Sequence, residues 1–178
     1  MGGMAAGFLT VYAVQRWQLP DSQAGVFTVS MLVGQASGNL LFGPLADRKG
    51  HKLVLELSTL LGALAVGLAS LAPASVWFYV VFALLGASTA GLILSGIMIV
   101  FEFSTPELRP TYIGLNNTLI GVVTAATPLI GAWLASTVGY QVFFVVTFVI
   151  GLVGFGLLRW TVREPREASR SSGLVDGD

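Results

Sequence analysis

The chain has no cysteine and a single histidine, His51. That excludes disulfide scaffolds and thiol catalysis, and it leaves almost no ligand set for zinc or iron. Charge is also scarce. Asp, Glu, Lys and Arg make up 10% of the 178 residues, against roughly 25% in an ordinary soluble domain. Nine Lys+Arg balance nine Asp+Glu, so there is no basic surface to neutralise phosphates and no nucleic-acid partner is expected. No nucleotide-binding motif occurs, so ATP is not expected to drive the protein directly, and no cofactor is expected. Apolar surface is what the chain has in quantity: 54% hydrophobic residues and a mean hydropathy of +0.82. The same numbers exclude disorder. They describe an all-α, polytopic membrane helical bundle in a lipid bilayer.

A hydrocarbon core about 30 Å thick takes roughly 20 apolar residues of helix. Measured this way, the sequence offers six apolar segments, at 1–14, 24–46, 53–71, 76–101, 112–135 and 140–158. The last five are long enough to cross. The first reaches only about 22 Å and lacks the positive start of a signal peptide, so it reads as the second half of a span whose beginning lies upstream. The connections are short. The expected organisation is a six-helix domain over 1–160 and a polar, cytoplasmic tail over 161–178.

Lys and Arg set the orientation. Arg48, Lys49, Lys52, Arg109, Arg159, Arg163, Arg166 and Arg170 all fall on the side of the tail, and Arg16 alone falls on the other. By the positive-inside rule the tail side is cytoplasmic. Trp17, Trp77, Trp133, Tyr140 and Trp160 sit near span ends, as an interfacial aromatic belt requires.

Polar groups within spans are costly, so they face protein or a water-filled cavity. The second span carries Gln35 and Asn39, four apart and on one helix face, beside Gly34 and Gly38, whose spacing allows another helix to approach closely. The fifth carries Asn117, Gly121, Thr124 and Pro128 along one face, and the fourth carries Ser88, Gly91 and Ser95. Tyr12 marks the first. Tyr12, Gln35, Asn39, Ser88, Asn117 and Thr124 are therefore candidates for lining a solute cavity. For Gln35 and Asn117 the alternative is an interhelical hydrogen bond, and for Ser and Thr a bond back to their own helix. Spans one, two, four and five read as an inner ring, with three and six as lipid-facing struts. That order repeats every three helices and suggests two three-helix units; in many transporters such units form an inverted repeat, the second flipped relative to the first. Glu56, one turn inside the third span, is expected to snorkel to the cytoplasmic face and pair with Lys52. His51 is expected in a cytoplasmic loop, away from Ser88 and Ser95, which argues against a serine–histidine intramembrane enzyme.

Between the second and third spans runs Gly43-Pro44-Leu45-Ala46-Asp47-Arg48-Lys49-Gly50-His51-Lys52. The pattern G-x-L-A-D-R-x-G-x-K resembles the signature loop of the major facilitator superfamily, with His51 where a second basic residue is usual. The stretch Glu102-Phe-Ser-Thr-Pro106-Glu107-Leu-Arg109-Pro110 is similar to the acid–proline–arginine segment that follows the fourth and tenth helices in many members. The resemblance implies a non-enzymatic secondary transporter that moves a small solute by alternating access. Gly43, Asp47, Arg48, Gly50 and Lys52 would form a cytoplasmic gating motif, and Glu102, Glu107 and Arg109 a charge network with Arg48 and Lys52. Gly50 permits a tight reversal at positive φ. An arginine expected in the fourth helix of an N-terminal half is replaced by Phe82, and the end of the chain is similar to the end of these proteins. The chain therefore resembles the C-terminal half, helices seven to twelve, with the first shortened. Its expected partner is an N-terminal six-helix half or a second copy. Protons are one option for the coupling ion, although no carboxylate lies near the midplane. The alternative to a working half is a non-functional fragment.

Overall fold

The computed structural model of the chain describes residues 2–103 and 107–161. Six helices follow one another: α1 (Gly2–Trp17), α2 (Ser22–Lys49), α3 (His51–Leu71), α4 (Trp77–Phe103), α5 (Arg109–Val138) and α6 (Tyr140–Thr161). No strand occurs among the described residues. The expected all-α bundle is thus observed. α2, α3, α5, α6 and the Trp77–Gly96 part of α4 are long and apolar enough to cross a membrane. With 16 residues, α1 spans about 24 Å.

The connections are tighter than the apolar segments suggest. α2 continues through Lys49 and α3 begins at His51, so a single residue, Gly50, reverses the chain at φ 92° and ψ 158°. Only glycine takes that conformation without a Cβ clash. The Gly50 N–H donates to the Ala46 carbonyl at 2.9 Å and closes the last turn of α2. Gly139 repeats the device between α5 and α6, at φ 85° and ψ 160°. The two joints occupy the same place in the first and second sets of three helices.

α4 is the centre of the bundle. α2 lies along one side of it, α3 along another, and α6 lies against the far side of α3; α1 and α5 are more lightly attached. The close approach of α2 and α4 depends on three glycines. A Cβ on Gly34 would overlap the Ala83 carbonyl, one on Gly86 would overlap the Met31 carbonyl, and one on Gly38 would lie 2.9 Å from Ala87 Cα. The Gly34/Gly38 spacing read from the sequence therefore marks a real helix crossing. Without a hydrophobic drive between helices in lipid, such close packing is a main source of association. On α3 and α4, Ser88 Oγ donates to the Ser58 carbonyl at 2.7 Å. On α3 and α6, Gly151 leaves room for Ala63 and Gly67 for the Phe148 ring.

One expectation is corrected. α3 is not a lipid-facing strut: Val54, Ala63, Ala65, Val66 and Ala69 are buried between its neighbours. Its small side chains admit a helix on each side, and a uniformly apolar sequence does not distinguish a lipid contact from a helix contact. In α6, Phe144 is the buried residue.

Aromatic rings close the end of the bundle opposite Gly50. Phe27 stacks on Phe82 with centroids 5.0 Å apart, Tyr12 meets Phe144 edge-on at 4.9 Å, and Trp17 meets Phe78 at 5.3 Å. Contacts of this kind add about 0.5–1.5 kcal/mol each beyond simple burial. They join α1, α2, α4 and α6, which the loops leave apart.

The glycine seam gives a stability prediction. Gly86→Leu should lower the thermal midpoint in detergent by an amount equivalent to about 1–3 kcal/mol, since the added atoms must push α2 from α4. Gly121→Ala, where a Cβ meets nothing within 4 Å, should leave the midpoint unchanged or slightly higher. Equal melting of the two variants would refute the seam.

Candidate functional site

The signature stretch forms the end of α2, the Gly50 joint and the start of α3. Asp47, Arg48 and Lys49 occupy the last turn of α2 and are exposed; Gly50 is buried; Gly43 is half-buried, and Pro44 lies within the helix. Arg48 and Lys49 sit where the helix dipole is negative, a favourable place for cations. Lys52, on the first turn of α3, turns inward.

Its partner is Glu56. Lys52 Nζ lies 3.4 Å from Glu56 Oε1, one helical turn on, which is the pairing expected from the sequence. The carboxylate does not snorkel out to the surface, however. The Glu56 side chain is only 4% exposed, because Arg159 of α6 closes over it, with Nη1 3.4 Å from Glu56 Oε2. The ion cluster thus ties α3 to α6 near the Gly50 end. Sequence reasoning missed Arg159, which it counted only as a topogenic charge. The available signal was a carboxylate within a span, with more than one cation at the same membrane level.

Of the expected charge network, Glu107 and Arg109 are exposed, and the Arg109 guanidinium lies 5.5 Å from the centroid of the Phe101 ring. The Glu102 side chain lies outside the described residues.

His51 requires a correction. It is the first residue of α3 rather than a loop residue, and its Nδ1 lies 3.4 Å from Ser95 Oγ on α4. The one-residue joint at Gly50 draws His51 into the bundle, which the assumed six-residue loop would not do. Ser95 is fully buried, so no acyl substrate reaches its oxygen in this conformation. The contact ties the first turn of α3 to α4.

The candidate cavity residues divide into two groups. Tyr12 is buried among Phe78, Tyr140 and Phe144, and its hydroxyl is hydrogen-bonded by Arg16 Nη1. Ser88 is buried in the α3–α4 seam. Both serve helix contacts. Gln35 and Thr124 are half-buried, and Asn39 and Asn117 are exposed on α2 and α5. Most other hydroxyls within the helices bond to their own backbone, among them Thr10 to Ala6, Thr28 to Ala24, Thr59 to Leu55, Thr89 to Leu85 and Thr147 to Phe143. That satisfies them without a partner helix. An Asn side chain has more hydrogen-bonding sites to fill. Exposed Asn39 and Asn117 on membrane-length helices thus mark faces suited to water or protein.

Long apolar helices, short joints and polar groups within the spans define a multi-pass membrane protein. The Asp47–Lys52 turn narrows the class, and comparison with known proteins agrees. The chain belongs to the major facilitator superfamily, whose family model matches residues 1–177. It is 32% identical over 137 residues to a benzoate transport protein of Acinetobacter baylyi, covering 72% of this chain and 29% of that one. It is 31% identical over 155 residues to the multidrug resistance protein MdtG of Dickeya zeae, covering 85% of this chain and 37% of that one. A putative human transporter, SVOPL, is 32% identical over 127 residues, 66% of this chain and 26% of its own length. The chain thus spans about a quarter to just over a third of these relatives.

The ion cluster makes an ordered prediction for stability in detergent. Lys52→Met with Arg159→Met strands the Glu56 carboxylate and should cost several kcal/mol. Adding Glu56→Leu removes the stranded charge and should recover most of that loss. A triple variant no more stable than the double would show that Glu56 is solvated rather than enclosed.

Proposed function

We propose that the chain forms one six-helix half of an alternating-access transporter for a small organic solute, in a cell membrane with its C-terminus cytoplasmic. The observation that carries this reading is the exposure of Asn39 and Asn117 on membrane-length helices. Bare amides facing acyl chains would be costly, so the α2 and α5 faces are assigned to a water-filled path shared with a second half. Gln35, on the same face as Asn39, and Thr124 would line that path. The names of the relatives, which include benzoate and niacin transporters and a multidrug resistance protein, support a small organic solute.

In this reading Asp47, Arg48, Gly50 and Lys52 belong to a cytoplasmic gate, with Glu102, Glu107 and Arg109 beside it. The partner is an N-terminal six-helix half or a second copy of this chain. The chain itself is placed as helices seven to twelve of the family. Coupling to protons would need an acid beyond Glu56, which already serves Lys52 and Arg159.

Flux in proteoliposomes containing the assembled transporter tests this. Asn39→Leu and Asn117→Leu should each lower uptake of a transported solute by tenfold or more, about 1.4 kcal/mol or greater, with unchanged melting. Asp47→Asn should slow flux while leaving solute binding intact. Full flux in both asparagine variants would sink the assignment of the cavity wall, and full flux in Asp47→Asn would sink the gate.

A further inference from the structure

Two helices carry a proline well inside them, Pro44 of α2 and Pro128 of α5, and the bundle holds the two differently. Pro44 lies between Phe42 and Ala46, both buried, so α2 is gripped on either side of it. Pro128 has a buried neighbour on one side alone, because Gly131 is the one buried residue of Arg109–Val138. A Cβ on Gly131 would lie 3.0 Å from the Phe8 ring of α1 and 3.4 Å from the Phe143 ring of α6. Those two rings meet with centroids 5.4 Å apart. The last turns of α5 are thus seated on α1 and α6, and the Gly139 joint follows directly.

Residues 109–127 have no such seat. All of them are exposed or half-buried, and a Cβ on Gly114 or Gly121 would meet nothing within 4 Å. At the far end the Arg109 guanidinium lies 5.5 Å from the centroid of the Phe101 ring, a weak contact for an exposed cation and readily broken. Between the seat and this stretch the backbone bonding is weakest. Pro128 has no N–H to donate to the Thr124 carbonyl, and its ring crowds that oxygen. One residue earlier, Thr127 Oγ1 donates to the Val123 carbonyl at 2.6 Å, a back-bond that itself favours bending. An open cleft lined by Gly7, Phe8, Val11, Pro128 and Tyr140 lies beside the proline, so its ring has room to shift.

We propose that Thr124–Pro128 is a hinge, and that residues 109–127 swing about it as one arm while 131–138 stay fixed on α1 and α6. Sharp bends in helices concentrate at proline. Here the burial pattern, the freed carbonyl and the threonine back-bond all place the bend at the same level. The arm is about 28 Å long, so a change of about 15° at Pro128 would carry Arg109 by about 7 Å. Asn117, about 16 Å from the hinge, would move by about 4 Å. The functional meaning of this motion rests on the transport reading: one end of the solute path would close by the bending of a single helix within this half, without rigid rocking of two halves. The hinge itself belongs to the chain alone and is tested without any solute.

The chain has no cysteine, so spin labels can be placed in pairs on the full chain in nanodiscs. Leu40→Cys on α2 with Leu115→Cys reports on the arm. Val29→Cys on α2 with Trp133→Cys reports on the seated end. All four side chains are more than half exposed. Double electron–electron resonance should give the arm pair a distance distribution roughly twice as broad as that of the seated pair, as bending at Pro128 requires. Pro128→Ala restores the missing hydrogen bond and should narrow the arm distribution to the width of the seated pair, which itself should not change. Equal widths for the two pairs in the chain that keeps Pro128 would overturn the hinge. So would an arm distribution that stays broad in Pro128→Ala, because the motion would then belong to α5 as a whole.

Discussion

The structure depends on how closely α2 can approach α4. In water, two apolar helices are driven together by the surface they remove from solvent. In lipid that drive is missing, and what remains is contact between well-fitted surfaces. Gly34, Gly38 and Gly86 bring the backbones of α2 and α4 into contact. Everything else is arranged around that pair. α3 packs on α4, α6 packs on α3, and the aromatic rings of Tyr12, Phe27, Phe78, Phe82 and Phe144 close one end.

Polar groups follow the same logic of enclosure. Hydroxyls turn back to their own helices, as Thr59 does to Leu55, and cost the bundle little. Glu56 cannot do so. A carboxylate removed from water needs cations close by, and it gathers them from two helices, Lys52 on its own and Arg159 on α6. The ion cluster therefore does at the Gly50 end what the aromatic rings do at the other: it joins helices that the loops do not hold together. The amides of Asn39 and Asn117 are the exception. They stay exposed on α2 and α5.

Much of the candidate site was legible in advance. The small-residue stripe on α2, the positive φ of Gly50 and the Lys52–Glu56 pair could all be read from spacing, because each depends on residues close in sequence. The Arg159 contact and the His51–Ser95 contact could not. They join positions 103 and 44 residues apart, and nothing in the local pattern states which helices become neighbours. The reading of α3 failed for the same reason. Its apolar sequence suits lipid and buried contact equally, and only the presence of α4 and α6 on its two sides decides between them.

By itself the sequence determined that this is a membrane bundle of helices, where those helices run, and which turn carries the family signature. These follow from apolar run length, charge placement and glycine chemistry, all local properties. The tertiary structure decided which helix is central, which serine and histidine meet, and which arginine encloses Glu56. Those outcomes depend on helix adjacency, and adjacency is set by backbone-to-backbone fit across the glycine seams, summed over whole interfaces rather than encoded at any one position.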